Sequence, residues 1–447
     1  MKISIYNFKS IDTMKDLEIS KVNLMAGVNS AGKSSVSQLL LILKQSLMSE
    51  VTSEALLNNG PYIRTASWDE LIHDKVSSRS FGFELNLTRS DISNPEHYDQ
   101  MLEHADMQDI TISAFFEMDR TRLITQKFEV KVSGCAEENV HMTCTKTQRK
   151  KADDKLKYMI ISTVPGFKPA QNRGYFITFS SMFPLFFEDV NREGDNLINN
   201  TELIPVSKIV KETLTAVFNK IYYIGPERNC GEGKMQSYTS MNFENVGNNG
   251  EYTRFILNQK RDVKVNDTET LAQAVNRWLC GTWQLARSIE SVKLSQNTYQ
   301  VVLVDNRGIK TDLWQVGFGI GQVLPIIVQG LLCPADGLLI VDSPEIHLHP
   351  MVQGGLMDFF IEMAAQHKNV LVETHSDHII TRLRRRVAEK KISTEDVNIY
   401  FVTQQPDGSA YETVMLGEQG SIDNTMPAGF LDTLDEDFRA ILKARLR

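Results

Sequence analysis

The stretch AGVNSAGKSS at residues 26–35 decides the fold. It follows an apolar run, 22–26, that has the character of a buried strand, and it precedes a segment from Lys33 to about Met48 with helical spacing of leucine and isoleucine. Gly27 and Gly32 complete the pattern GxxxxGK[ST] between strand and helix. Glycine lets the backbone wrap closely around phosphate oxygens, and successive N–H groups with the helix N-terminus supply positive potential. The stretch therefore predicts a phosphate-binding loop, or P-loop.

The residue types in this loop predict its ligands. Lys33 should reach the β- and γ-phosphates of a nucleoside triphosphate, and the Ser34 hydroxyl should ligate magnesium. We therefore expect ATP and Mg²⁺ to bind here. The residues expected to line the phosphates are Gly27, Asn29, Ser30, Ala31, Gly32, Lys33, Ser34 and Ser35.

Two later strands end in residues that suit the same site. The sequence GLLIVDSPE at 337–345 is an apolar strand that ends in Asp342, the carboxylate expected to hold Mg²⁺ from the opposite side. The next strand ends in ETHS at 373–376, where His375 can sense the γ-phosphate. A histidine at a strand end is more often structural. The two preceding motifs favour the functional interpretation.

The sequence GFGIGQ at 317–322 opens an apolar helix about twenty residues before Asp342. Glycine-rich backbone at a helix N-terminus binds anions, and a subunit that has its own P-loop has no obvious use for a second such site. A second subunit could place its phosphate there, against Gly319, Gly321 and Gln322. The alternative is a glycine cluster that only packs tightly.

Composition limits the class of protein. The 447 residues are enough for two or three domains, and the net charge of −8 excludes a uniformly basic surface. Two local basic runs, RKK at 149–151 and RLRRR at 382–386, are either solvated faces or contacts for nucleic acid. No apolar run approaches the roughly 20 residues that span a bilayer, and no signal peptide is evident, so we expect a cytoplasmic protein without membrane contact.

The five cysteines are scattered and form no CxxC pair, which favours a reducing compartment over a disulfide scaffold. Cys135, His141 and Cys144 could be metal ligands, but a fourth ligand is missing. We therefore favour three ordinary side chains over a zinc site.

The predicted fold class is α/β, a P-loop NTPase whose core is interrupted by a large, mostly antiparallel α+β insertion. Short strands separated by polar loops occupy residues 50–220. Apolar runs without alternation return afterwards, as in strands buried on both faces of a parallel sheet. The predicted domains are 1–49 (first part of the ATPase head), 50–220 (insertion), 221–392 (second part of the head) and 393–447 (small C-terminal region).

The chain resembles ABC-type ATPase heads of the SMC, RecF and OLD kind, and in detail stand-alone bacterial AAA-type/SMC-like ATPases with a small C-terminal domain of unknown function. The matching strings are NFKSI at 7–11, AGVNSAGKSS at 26–35, YIGPER at 223–228, VGNNGEYT at 246–253, VGFGIGQVLPIIVQGL at 316–331, DSPEIHLHP at 342–350, ETHSDHII at 373–380 and SIDNTMPAGFLD at 421–432. This resemblance implies an ABC/SMC-type head, a mixed sheet core with a β lobe, and a homodimer or higher homo-oligomer that sandwiches two ATP molecules.

Two departures from the family pattern bear on turnover. Ser343 stands where transporter-type ABC ATPases keep a catalytic glutamate, and Glu345 lies two residues further on, with His347 and His349 nearby. Gly319 and Gly321 replace the serine-containing LSGGQ signature. We expect Glu345, Lys33 and His375 to be the catalytic residues, and turnover to be slow.

Members of this group often serve in prokaryotic defence against phages with a separately encoded effector. The residues after His375 leave too little room for a nuclease domain of the TOPRIM kind, so a cutting activity would need a partner. The resemblance therefore favours an ATPase that senses or scaffolds and controls a nuclease or toxin. The alternatives are a RecF-like ATPase that clamps DNA and a scaffold that binds ATP without hydrolysis, while a transporter subunit fits poorly.

Overall fold

The computed structural model describes residues 1–49, 54–76, 79–92, 95–96, 107–134, 140–147, 156–164, 166–167, 174–190, 197–199, 201–230, 235–236, 243–295, 298–315, 318–423 and 443–444. The chain forms two compact units. The antiparallel unit comprises Met1–Ile19, Ser34–Asn219 and Gln404–Ala410. The parallel unit comprises Ser20–Lys33, Lys220–Thr403 and Tyr411–Arg447.

A ten-stranded sheet forms the antiparallel unit, in the order β11-β10-β9-β8-β7-β6-β5-β4-β1-β2. Its strands are β1 (Lys2–Phe8), β2 (Ile11–Glu18), β4 (Phe81–Thr88), β5 (Met107–Asp119), β6 (Arg122–Gly134), β7 (Val140–Lys146), β8 (Tyr158–Ser162), β9 (Tyr175–Ser180), β10 (Phe183–Val190) and β11 (Leu197–Asn199). In β4, Phe81, Phe83 and Leu85 alternate along the strand and are fully buried, because successive side chains point to opposite faces of the sheet. Helices α1 (Ser34–Leu47) and α2 (Ile204–Asn219) belong to the same unit.

A six-stranded sheet carries the parallel unit, in the order β12-β17-β18-β3-β19-β20. The strands are β3 (Val22–Gly27), β12 (Ile221–Ile224), β17 (Leu338–Asp342), β18 (Asn369–Glu373), β19 (Val397–Gln405) and β20 (Gly408–Val414). Parallel pairing joins β12 to β17, β17 to β18, β18 to β3 and β3 to β19. Nearly all residues of β3, β17 and β18 are buried, as expected of strands covered on both faces. Their carboxyl ends consequently meet at one edge.

Helices and a smaller sheet complete the parallel unit. The helices are α3 (Thr253–Gln259), α4 (Leu271–Asn276), α5 (Phe318–Leu332), α6 (Pro350–Ala365) and α7 (Asp377–Ala388). The smaller sheet contains β13 (Met235–Gln236), β14 (Ser288–Ser295), β15 (Thr298–Val304) and β16 (Lys310–Asp312). A hydrophobic core of buried residues runs from β3 through α5 and α6 to β19. No helix within the described ranges is long and apolar enough to span a bilayer.

The predicted α/β fold, a parallel sheet that carries the P-loop together with a large antiparallel region, is confirmed. The boundaries of the two units differ from the predicted domains. Strand β1 pairs with β4, so residues 1–19 join the predicted insertion in one sheet. Strand β19 pairs with β3, so part of the predicted C-terminal region 393–447 completes the parallel sheet. The sequence did not predict these two strand pairings, because each joins strands that are far apart along the chain.

Candidate nucleotide-binding site

The loop after β3 has a backbone conformation that requires glycine. Gly27 has φ of +140°, and a Cβ at this position would lie 2.2 Å from the carbonyl oxygen of Val402. Gly32 has φ of +98°, a region that side chains other than glycine rarely adopt. Asn29 and Ser30 are exposed on the loop. Gly27 and Gly32 therefore provide backbone freedom where the loop curls, and Ser30, with φ of +60°, adopts the left-handed region between them.

Lys33 folds back onto this loop. Its side chain is buried, and its Nζ donates hydrogen bonds to the carbonyl oxygens of Gly27 at 3.0 Å and Val28 at 2.7 Å. These two bonds leave one N–H of the ammonium for a further acceptor. The charge of Lys33 is therefore held against the curled backbone, where a phosphate would be expected.

Three carboxylates act on Lys33 electrostatically. Burial lowers the pKa of Lys33, while Glu373, Asp342 and Glu345 oppose that change in this order. Asp342 and Glu373 are direct neighbours across the parallel pairing of β17 and β18. The strand ends predicted separately from sequence are therefore neighbours in the sheet, and their charges act on Lys33.

The turn after Asp342 is unusual. Ser343 has φ of +47°, its Oγ donates to Asp342 Oδ1 at 2.7 Å, and its N–H donates to the Glu373 carbonyl at 2.8 Å. Asp342 is thus oriented by its own neighbour. In this chain the position after Asp342 supports the Asp342 carboxylate and offers no second acid.

Glu345 is held by the end of the neighbouring strand. Its Oε2 accepts from the Thr374 hydroxyl at 2.9 Å, and its Oε1 accepts from the His375 backbone N–H at 2.8 Å. A carboxylate can accept about four hydrogen bonds, so each oxygen retains accepting capacity. The side chain of Glu345 is fixed in orientation and remains capable of accepting a proton from water.

His375 is exposed at the end of β18, and its pKa is lowered. Partial burial of the ring is the main cause and the charge of Lys33 adds to it, while Glu345 and Asp342 oppose the change. The imidazole is consequently neutral at neutral pH, with one ring nitrogen able to donate a hydrogen bond. The other two nearby histidines differ: His349 caps helix α6 by accepting from the Met351 N–H at 3.3 Å, and His347 is exposed.

Reasoning from sequence missed four residues of this site. Glu373 exerts the largest charge effect on Lys33 although only its neighbours were singled out. Arg228 is buried and donates to the carbonyl oxygens of Asp342 and Ser343, both at 2.9 Å.

The third missed residue is Tyr223, whose pKa is raised by burial and by the charges of Asp342 and Glu373. Tyr223 and Arg228 lie in the YIGPER string, in which Tyr223 is part of β12 and Arg228 comes four residues after its end. Tyr411 donates to the Gly32 carbonyl at 2.7 Å, and no local pattern could connect residues so far apart.

The glycine-rich start of α5 divides into an open and a buried part. A Cβ at Gly321 would meet nothing within 4 Å, whereas one at Gly319 would lie 3.4 Å from the His347 carbonyl. Tight packing therefore does not explain Gly321. Gln322 is buried, and its Nε2 donates to the Arg228 carbonyl at 2.8 Å, so this side chain turns into the parallel unit. Gly317 lies outside the described residues.

The other residues predicted for the loop, Ala31, Ser34 and Ser35, lie shortly before α1 or in its first turn. Ala31 is buried, and its N–H donates to the Val28 carbonyl at 3.4 Å. Ser34 begins helix α1. Ser35 is buried, and its hydroxyl shares a 2.8 Å hydrogen bond with that of Ser10. Ser35 therefore anchors the helix, and the assignment of Ser34 to Mg²⁺ stays a prediction.

The sequence also left open a zinc site formed by Cys135, His141 and Cys144. Within the described residues, no group of three or more His, Cys, Asp or Glu side chains is arranged to hold a metal ion. His141 instead contacts Glu129 at 2.9 Å, Cys144 is fully buried, and Cys135 lies outside the described residues.

The arginines of RLRRR at 382–386 have acceptors inside their own unit. Arg382 and Arg386 both donate to Asp358, Arg385 donates to Glu389, and Arg384 donates to the Gly420 carbonyl. Two carboxylates, Asp358 and Glu389, offset half of the charge of the four arginines, which favours the interpretation as a solvated face. The other basic run, 149–151, lies outside the described residues.

A P-loop between a parallel strand and a helix, with carboxylates at the neighbouring strand ends, defines a P-loop nucleotide-binding protein. The chain belongs to the AAA ATPase domain family, whose model matches residues 1–380. It is therefore an AAA-type ATPase, a class that binds ATP. No curated protein matches the chain.

Among solved structures, the chain is similar to the SMC head domain from Thermotoga maritima, with 12% identity, coverage of 92% of this chain and 98% of that one, and a TM-score of 0.41. It is also similar to an Smc head bound to the C-terminal winged-helix domain of ScpA (10% identity, 93% and 98% coverage, TM-score 0.43). A third is the Smc head domain with an extended coiled coil bound to the C-terminal domain of ScpA, derived from Pyrococcus furiosus (9%, 99% and 98%, 0.44). At these TM-scores the similarity carries no conclusion about activity or assembly.

Proposed function

We propose that the chain binds ATP with Mg²⁺ at the loop of residues 27–34 and hydrolyses it slowly. The observation that carries this proposal is the curled loop onto which the buried Lys33 donates, beside strand ends where Asp342 and Glu373 are paired. Such an arrangement balances a phosphate-binding cation with acidic groups of the kind that hold a magnesium hydration shell.

The backbone and side chains at this site suit both ATP and Mg²⁺. The curled loop presents backbone at Gly27, where a Cβ would collide with Val402, and Lys33 supplies a charged donor beside it. Asp342, oriented by the Ser343 hydroxyl, would hold Mg²⁺, with Ser34 as the second ligand predicted from sequence. When bound, the ion would neutralise charge on the phosphate oxygens.

We assign roles in ATP hydrolysis to Glu345 and His375 from the way each side chain is held. Glu345, fixed by Thr374 and the His375 N–H, is placed to accept the proton of the attacking water. The neutral imidazole of His375 donates to the γ-phosphate and reports its presence. Ser343 leaves no acid directly after Asp342, which supports slow turnover and a role for ATP as a switch.

We further propose a homodimer or higher homo-oligomer in which the start of α5 closes over the ATP of a second subunit. The open space where a Gly321 side chain would lie supports this, because a helix start without side-chain bulk is accessible to a phosphate. The assembly would act in the cytoplasm as a sensor or scaffold that controls a separately encoded nuclease or toxin in prokaryotic defence against phages. This part of the proposal is supported by the family resemblance of the sequence motifs.

Equilibrium binding of a fluorescent ATP analogue and release of phosphate test the core of the proposal. We expect micromolar binding by the wild type and single-turnover hydrolysis that depends on Mg²⁺. Light scattering of the Glu345→Gln protein with ATP should show a mass of at least twice 50.7 kDa. A wild-type protein that does not bind ATP would refute the proposal.

Co-expression with the protein encoded next to this chain, followed by pull-down with and without ATP, tests control of an effector. We expect a nuclease or toxin whose capture depends on ATP. A replication or repair protein as the neighbour, together with hydrolysis stimulated by DNA, would favour the RecF-like alternative instead. The internal pairing of the arginines at 382–386 weighs against that alternative.

An ATP-binding scaffold without hydrolysis is the second candidate. The observation that favours it is Ser343, whose hydroxyl is engaged with Asp342 where a catalytic acid would be expected in transporter-type relatives. Stable retention of unhydrolysed ATP over hours, with Mg²⁺ present, would support the scaffold over the slow enzyme.

A further inference from the structure

Arg228 occupies a junction between two parts of the site. Its Nη1 donates to the carbonyl oxygens of Gly225 and Asp342, and its Nη2 donates to that of Ser343, all at 2.9 Å. The guanidinium thus holds two consecutive carbonyls of a turn in which Ser343 has φ of +47°. A planar fork of donors suits this task, and the single ammonium of lysine does not.

The backbone around Arg228 also reaches the first turn of helix α5. The Arg228 carbonyl accepts from Gln322 Nε2 at 2.8 Å, and two residues along, Cys230 Sγ donates to the Gly321 carbonyl at 3.1 Å. Cys230 and Gln322 are both buried. The same short segment is therefore bonded to the Asp342–Ser343 turn on one side and to the start of α5 on the other.

Two polar atoms at this junction have no hydrogen-bond partner within the described part of the chain: Arg228 Nε and Gln322 Oε1. One is a donor and the other an acceptor, and both are buried. Burying such an atom without a partner is unfavourable. Both atoms belong to residues that are bonded to each other, since Gln322 Nε2 donates to the Arg228 carbonyl, so a change at either residue acts on the same junction.

We infer that Arg228 is a positioning residue that joins the turn carrying the Mg²⁺ carboxylate to the start of α5. The inference rests on the proposed function for its consequence: closure of α5 over a second subunit's phosphate would shift Asp342 in the same subunit. Arg228 contacts neither phosphate nor metal in this scheme. It acts through the carbonyl oxygens of Asp342 and Ser343.

Hydrogen exchange without nucleotide tests the junction independently of ATP. In Arg228→Lys, amides in 340–346 and in 319–324 should both exchange about tenfold faster, while those of strand β18 should not change. Arg384→Lys is the matched control, because Arg384 donates to a backbone carbonyl in the same unit but outside the junction. Faster exchange in only one of the two segments, or in neither, would overturn the inference.

Gln322→Met provides a second arm if Arg228→Lys does not fold. Gln322 is bonded to the Arg228 carbonyl, and the inference predicts that its loss speeds exchange at 340–346 through Arg228. An effect confined to 319–324 would contradict it.

Kinetics then separate positioning from folding. Losses of about 10- to 100-fold in kcat are typical when groups that orient a metal ligand are replaced. For Arg228→Lys we expect such a loss, with the KM for ATP changed less than about threefold, because Lys33 and the loop are untouched. An unchanged kcat in a protein whose wild type hydrolyses ATP would refute the role of Arg228, whereas an inactive wild type would refute the proposed function.

Discussion

A buried lysine lies at each end of helix α1: Lys33 directly precedes its first turn, and Lys44 is part of its last turn. Both donate to backbone carbonyls, Lys33 to Gly27 and Val28 in the parallel unit, Lys44 to Phe218 at 2.8 Å in the antiparallel unit. Burial lowers the pKa of each, that of Lys44 to about 8.

The difference lies in what surrounds the two ammonium groups. Lys33 has the carboxylates of Glu373, Asp342 and Glu345 acting on it, whereas burial accounts for the change at Lys44. The comparison teaches that a buried charge indicates a site only when other charges converge on it. By this criterion we propose that Lys33 is functional and that Lys44 is structural.

The largest expected effect concerns the carboxylate that can accept a proton. Glu345→Gln should lower the single-turnover rate of ATP hydrolysis by about 10²- to 10⁴-fold, because the amide cannot act as a general base. Binding of ATP should be retained. Glu389→Gln, which changes a surface ion pair on α7, is the control. Undiminished hydrolysis would remove Glu345 from the mechanism.

Replacing the two lysines in the same way tests the comparison itself. Lys33→Met should weaken ATP binding by about 10- to 100-fold, the range for losing a charged hydrogen bond. Lys44→Met should leave the dissociation constant within about twofold. Isothermal titration calorimetry measures both. Equal losses in the two variants would mean that converging carboxylates do not distinguish a site.

The structural role of Lys44 should appear in the pH dependence of the free energy of unfolding. Its pKa is about 8 in the folded chain, against 10.5 for an ordinary lysine. Between these values the unfolded chain binds more protons, so the free energy of unfolding rises with pH, and the penalty for burying the charge is complete below pH 8. Relative to Lys44→Met, the wild type should gain on the order of 2 kcal/mol between pH 8 and 10 in urea unfolding. A constant difference between the two proteins would contradict the structural role.

The smallest effect concerns a residue that supports the P-loop from a distance. Tyr411→Phe removes the hydrogen bond to the Gly32 carbonyl, which is worth about 1 kcal/mol, so ATP affinity should fall about fivefold. Tyr400→Phe, on the adjacent strand β19, is a tyrosine control in the same unit. Equal affinity for Tyr411→Phe and wild type would show that the loop holds its shape without this bond.

Sequence patterns predicted the parts of this molecule that depend on local chemistry. The loop around Lys33, the strand ending in Asp342 and the strand before His375 each follow from a continuous pattern of glycine, apolar and charged residues.

The domain boundaries did not follow from such patterns. They depend on pairings such as β1 with β4, which the alternation of a strand does not specify. Arg228 and Tyr411 were missed for the same reason, since their partners lie more than a hundred residues away.

We propose that Lys33 and Asp342 act on the same magnesium–triphosphate. A double-mutant cycle of Lys33→Met and Asp342→Asn, read as the affinity for ATP with Mg²⁺, tests it most directly. We predict that the double variant loses less than the sum of the single losses, by roughly 1 kcal/mol or more, and that Asp342→Asn no longer weakens binding when Mg²⁺ is removed. Losses that add within about 0.5 kcal/mol would show that the two residues act independently, and would contradict the account.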